Sequence, residues 1–154
     1  MVMVTDTAMD MDTEKAKRTK LTIAVDFDGT IVEHKYPEIG KEKPFAIETL
    51  KSLQDDGHKI ILWTSREGEL LQAAIDFCKE RGFVFYSVNS IYPEGFMFKK
   101  AEGRKIVADL YIDDRNLGGL PDWGTVYETI SGLRRKKKKK RSLLKRIFKP
   151  HRKH

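Results

Sequence analysis

The chain has 154 residues, 40% hydrophobic and 34% charged, with a formal net charge of +7 at pH 7; that is the size of one ordinary domain with a single core. Its one cysteine, Cys78, excludes an intramolecular disulfide and agrees with a reducing compartment, and no run approaches the ~18 apolar residues of a membrane span. The charge divides unevenly: 13 of the 30 Lys and Arg fall within Arg134–His154, which holds no Asp or Glu, leaving 17 cations against 23 carboxylates before it. An acidic body is therefore expected to carry a basic tail.

Residues 1–19 mix Met, Asp, Thr and Lys without periodicity and read as a disordered leader. They contain no apolar stretch of the kind a secretory signal needs, so a cytoplasmic location is expected. Leu21–Asp26 reads as a buried strand, followed by an irregular connection over 31–43 that contains Tyr36-Pro37 and Gly40. Pro44 suits the first turn of a helix. Along that helix Ile47, Leu50 and Leu53 recur at helical spacing, and Gly57 caps it. Lys59–Thr64 is a second strand, apolar enough to be covered on both faces. A second helix runs from about Glu67 to Arg81, with Leu71, Ala74, Ile75 and Cys78 toward the core and Gly82 at its end.

Phe83–Val88 is expected as a third strand and 89–103 as a loop. Ile106–Ala108 is expected to add a helical turn before a short strand, Leu110–Ile112, that leads into Asp113-Asp114. Val126–Ile130 fits a final helix or an edge strand equally well over five residues. Trp63 and Phe83 read as core, and His34, His58, His151 and His154 as exposed. Alternating strands and helices predict an α/β fold, a Rossmann-like three-layer sandwich with a mostly parallel sheet. Ligands in such sheets bind beyond the carboxyl ends of the strands. Asp26, Thr64 and Asp113-Asp114 all arrive at that edge.

Asp26 and Asp28 stand two residues apart, so the strand period points both to one side, and Gly29 lets the backbone turn sharply after them. Like charges held that close perturb one another's proton affinity, which suits a metal ion, a proton transfer or a nucleophilic attack. Taken singly, the other elements are bland. Asp113-Asp114 fits a solvated turn, Thr64-Ser65 a helix N-cap, and Lys105 an ordinary surface position.

Taken in order, Asp26-Phe27-Asp28-Gly29-Thr30, Thr64 after an apolar strand, Lys105 before the last strand and Asp113-Asp114 ending it resemble the four motifs of the haloacid dehalogenase (HAD) superfamily. The resemblance covers Leu21 to about Ile130 and neither terminus. It implies a phosphatase in which Asp26 attacks phosphorus to form an aspartyl-phosphate, while Asp28 protonates the leaving alcohol and later deprotonates water. It implies Mg2+ held by Asp26, the Asp28 backbone carbonyl and Asp113, with support from Asp114. Thr64, with Ser65 beside it, would contact phosphoryl oxygens, as would Arg66, and Lys105 would neutralise charge. Lys99, Lys100 and Arg104 lie close enough to compete with Lys105 for that role.

Larger members insert a cap domain after the first motif or before the motif lysine. Here 17 residues separate Asp26 from Pro44, and the stretch from Val88 to Lys105 is equally short. An independent core needs at least about 40 residues, so no cap domain is expected over the domain 20–132. The tail, 133–154, begins with eight consecutive cations, Arg134–Arg141. Leu143, Leu144, Ile147 and Phe148 then give a short basic amphipathic helix. That segment suits an anionic membrane, which would make the protein peripheral at a membrane surface, nucleic-acid phosphates, or the acidic body of a neighbouring copy. The alternative to a phosphatase acting on a phosphorylated substrate is thus a non-catalytic protein of the same fold that binds an anionic surface through its tail.

Overall fold

A computed structural model describes residues 20–93 and 105–132. The leader, the tail and three candidate cations (Lys99, Lys100 and Arg104) lie outside the described residues. The sheet and the candidate site both fall within Lys20–Tyr127.

Four parallel strands form one sheet in the order β3-β2-β1-β4. They are β1 (Thr22–Val25), β2 (Lys59–Leu62), β3 (Ser87–Val88) and β4 (Leu110–Ile112). Helix α1 (Ala46–Asp55) joins β1 to β2 and packs on β2, and α2 (Gly68–Glu80) joins β2 to β3. The protein is an α/β, Rossmann-like sandwich, and no cap domain interrupts it among the described residues.

Strand alternation sorts the apolar residues onto two faces. Ala24 and Ile61 pack with Ile106 against Trp63, Tyr86, Ile91, Ala108 and Tyr111. Ile23, Val25, Ile60 and Leu62, all fully buried, occupy the opposite face. Leu50 and Leu53 of α1 are also wholly buried, each stabilising the fold by about 1.5–3 kcal/mol relative to an exposed position.

Register is what positions the site. Val25 lies opposite both Leu62 and Ile112, so the three strands end level. The next residues, Asp26, Trp63 and Asp113, therefore emerge side by side at the carboxyl edge.

Several elements differ from the sequence expectation. Pro44 does not open α1; it sits in the preceding turn, and Phe45, at φ 63, is the N-cap. Lys43 N–H is held by Ile31 O at 2.9 Å, which keeps the chain extended up to that point. β2 ends at Leu62 rather than Thr64. Trp63 N–H still reaches Val25 O at 2.8 Å, but Thr64 N–H turns to the Asn89 side chain. Of the expected third strand only Ser87–Val88 pairs. Phe83 N–H bonds back to Cys78 O at 3.0 Å, closing α2, and its fully buried ring meets Phe85 edge-on.

Ile106–Ala108 form no helical turn. The Tyr111 hydroxyl accepts from Ala108 N–H and donates to Ile106 O, satisfying backbone groups that a turn would have paired. Residues 126–130 lie within a helix over 123–132. On α2, Ala74 and Cys78 are buried, whereas Leu71 and Ile75 are half-buried. His58 is buried instead of exposed, because its Nδ1 accepts the Leu21 N–H at 3.1 Å at the start of the sheet. Cys78 is core as expected, and burial pushes its thiol up to about 12, which makes it inert. Among the described residues no helix is long and apolar enough to cross a membrane.

Candidate functional site

After β1 the chain turns at once. Phe27 O accepts N–H groups from Thr30, Ile31 and Val32 at 3.2, 2.9 and 3.2 Å, and Gly29 takes φ 84. The glycine serves a second purpose. A Cβ at position 29 would lie 2.2 Å from Asp114 Oδ2, so the last strand's carboxylate can approach this turn only because no side chain stands there.

Thr30, fully buried, ties the two strand ends together. Its hydroxyl donates to Asp26 Oδ2 at 3.3 Å and accepts Asp114 N–H at 3.0 Å, while its carbonyl accepts the Trp123 indole N–H at 3.1 Å. Asp26 N–H in turn donates to Ile112 O at 3.0 Å. The result brings Asp26, Asp113 and Asp114 together, each offering one oxygen, with those oxygens within 4.8 Å of one another. Asp113-Asp114 is thus more than a solvated turn.

Packing three carboxylates this way raises their mutual repulsion. Asp26 is pushed up from 3.8 to about 6, first by burial and then by the charges of Asp113 and Asp114; the Phe27 N–H and the Thr30 hydroxyl pull the other way. Asp114 Oδ1 is buried and has no hydrogen-bond partner among the described residues. A buried carboxylate oxygen without a donor is unfavourable, and hard divalent cations take such oxygens as ligands. The donor set and the orphaned oxygen together fit the metal that the sequence resemblance implies.

Asp28, on the same cleft, has a different partner. Its two oxygens accept from Arg66, Nε to Oδ2 at 2.6 Å and Nη2 to Oδ1 at 2.7 Å. Arg66 also donates to Pro37 O at 3.0 Å and Glu38 O at 2.9 Å, and its side chain is completely buried. The guanidinium lies between the rings of Phe27 and Tyr36, 5.3 Å from each centroid. Arg66, expected as a phosphate contact, holds Asp28 and the loop that follows it. A phosphate contact would require it to leave Asp28.

Thr64 follows β2 with its Oγ1 accepting from Arg66 N–H at 3.2 Å, so its hydroxyl proton remains to be given. Thr64-Ser65 do not cap α2, whose N-cap is Glu67. Lys105 is exposed and its ammonium sits 4.4 Å from the Tyr111 ring centroid; it does not line the cleft.

That cleft, about 520 Å³ in volume, is bounded by Asp26, Asp28 and Asp113 together with Thr64 and Ser65. Its remaining wall is His34, Tyr36, Trp63 and Arg115; of these the sequence reads His34 as exposed and Trp63 as core. Trp63 is half-buried, with one side on the apolar cluster and the cleft open to it. Its position one residue before Thr64, and that of Arg115 directly after Asp113-Asp114, were the available signals.

Fold and cleft together define a small Rossmann-like α/β protein with a carboxylate-lined site at the carboxyl edge of its sheet. A solved structure of a conserved protein from Bacteroides thetaiotaomicron is 59% identical to it, with a TM-score of 0.69, over 74% of this chain and 92% of that one. The chain belongs to the family of that protein. No family model matches the chain, and no curated protein does.

Proposed function

We propose that the chain is a Mg2+-dependent phosphatase of the HAD type, hydrolysing a phosphomonoester through an aspartyl-phosphate at Asp26. The observation that carries this reading is the meeting of Asp26, Asp113 and Asp114 oxygens within 4.8 Å, in a cleft that also holds Thr64 and Ser65. Asp26, Asp113 and Asp114 would hold the ion, with the Asp28 backbone carbonyl, and when bound it would supply charge neutralisation for the phosphoryl oxygens.

An Asp26 oxygen attacks phosphorus as the bond to the leaving oxygen breaks, and the leaving oxygen takes up a proton. Water then attacks phosphorus, the bond to Asp26 breaks, and inorganic phosphate leaves with the carboxylate restored. The Thr64 hydroxyl donates to a phosphoryl oxygen, with Ser65 beside it. Asp28 is the candidate that gives and later takes the proton. For it to donate, one of its two bonds from Arg66 must first be released. Lys105 is proposed as the neutralising cation and would have to leave Tyr111 to act.

Purified protein with Mg2+ is expected to hydrolyse a generic aryl phosphate. Asp26→Asn is expected to abolish that activity with the circular dichroism spectrum retained. Equal rates for the two proteins would overturn the catalytic reading and leave the alternative, a non-catalytic protein acting through its tail.

A further inference from the structure

The carboxylates occupy only part of the cleft. The wall formed by Tyr36 and Trp63 is aromatic, and each ring is fixed from behind. Tyr36 sits on the excursion over 33–41, whose stem is closed by Glu33 N–H on Lys41 O at 2.7 Å. Its ring rests against the buried Arg66 guanidinium, which also holds the carbonyls of the next two residues, Pro37 and Glu38. Yet Tyr36 is 53% exposed. Trp63 is anchored by its N–H to Val25 O at 2.8 Å and by the Ala24, Ile61 and Ile106 cluster beneath it.

Rings held rigid on one side and open on the other stack on planar groups at little entropic cost. The hydrogen-bonding groups of these two rings, the Tyr36 hydroxyl and the Trp63 indole N–H, lie at their edges and leave the ring faces to stacking; His34 also lines the cleft. Arg115 stands at the rim, its backbone N–H on Asp113 Oδ1 at 2.8 Å, adding a cation beside the carboxylate end. The cleft volume of about 520 Å³ falls in the ~300–1,000 Å³ range of small-molecule sites.

Resting on the phosphatase reading above for the phosphoryl end, we propose that this cleft selects phosphomonoesters whose leaving group carries a flat aromatic or heteroaromatic ring, stacked on Tyr36 and Trp63. Tyr36 and Trp63 are then specificity residues, and Arg66 positions Tyr36.

The test compares adenosine 5′-monophosphate, phenyl phosphate and glycerol 1-phosphate as substrates of the full chain with Mg2+, for wild type, Tyr36→Ala and Tyr36→Phe. At least one ring-bearing probe is expected to be preferred over glycerol 1-phosphate by about tenfold or more in kcat/KM, mainly through KM. That preference is expected to collapse in Tyr36→Ala and persist in Tyr36→Phe. Preference for the nucleotide identifies a nucleoside leaving group, and preference for phenyl phosphate a simple aryl one; either supports the proposal. Equal kcat/KM for all three probes, or a preference untouched by Tyr36→Ala, overturns it. Calorimetric titration of Asp26→Asn with the same probes separates the two claims. If wild type hydrolyses none of them, the phosphatase reading fails, and the ring preference stands or falls on whether the ring-bearing probes bind more tightly.

Discussion

Arg66 and Asp28, 38 residues apart in sequence, meet in a bidentate pair with N···O distances of 2.6 and 2.7 Å. The arginine is buried and spends two further bonds on the Pro37 and Glu38 carbonyls. Its loss therefore strands a carboxylate and two loop carbonyls at once. Arg66→Ala is expected to destabilise the protein by about 3–5 kcal/mol, with Arg66→Lys recovering part because a lysine restores charge but not the fork. Urea unfolding measures this; a loss no larger than the ~1 kcal/mol of a surface pair would show that the pair does not hold the loop.

The Asp26 carboxyl, pushed up to about 6 by burial and then by Asp113 and Asp114, makes stability depend on pH in a definite direction. The folded chain holds this proton more tightly than the unfolded chain, whose value is 3.8. The stabilisation is complete below about pH 4 and is lost as pH rises through about 6. In divalent-free buffer at about pH 8, Asp26→Asn is expected to be more stable than wild type by about 1–3 kcal/mol, with the difference closing near pH 4. Mg2+ should narrow the gap by stabilising wild type more. Melting curves across pH, with EDTA and then with Mg2+, check it; equal midpoints at the higher pH in EDTA would remove the repulsion from the account.

Gly29 and Gly118 form a matched pair. Both have positive φ, 84 and 94, but a Cβ at 29 strikes Asp114 Oδ2 whereas at 118 it meets nothing within 4 Å among the described residues. Alanine at either position should cost about 1–2 kcal/mol for the left-handed backbone. Only Gly29→Ala should also displace Asp114, and it is expected to weaken Mg2+ affinity by about tenfold or more. Calorimetric Mg2+ titration of both variants distinguishes the effects; equal affinities would mean that Asp114 does not serve the ion.

The basic tail is proposed to bind an anionic membrane. A chain ending at Leu133 is expected to lose sedimentation with anionic vesicles at low salt, and full-length binding should fall as salt rises. If nucleic acid instead separates the two chains and vesicles do not, the partner is nucleic acid; if neither does, the tail has no such role.

Those parts of the fold that depend on local pattern were legible in the sequence. The apolar runs at 21–26 and 59–64 hold the strands Thr22–Val25 and Lys59–Leu62 because both faces are covered, and Ile47, Leu50 and Leu53 mark one helix face. The four acidic positions could be placed at one sheet edge because parallel strands share an end. What was hidden depends on partners distant in sequence. Phe83–Tyr86 has the composition of a strand, yet Phe83 is claimed by the end of α2 and only Tyr86 N–H begins the ladder, on Ile60 O at 2.8 Å. The Tyr111 hydroxyl settles the backbone of 106–108 in place of a helical turn. Arg66, two residues after Thr64, looked like a phosphate ligand. Nothing local could reveal that its guanidinium is buried between Phe27 and Tyr36.

β4 has three residues, and among the described residues it is an edge strand hydrogen-bonded to β1 alone. It nevertheless delivers two of the three clustered carboxylates. Both carboxylates hang from that one ladder, held by Asp26 N–H on Ile112 O and by the Thr30 hydroxyl accepting Asp114 N–H. The pairing of β4 with β1 and the gathering of the three carboxylates are therefore one structural fact: any change that opened the ladder would also take Asp113 and Asp114 from Asp26.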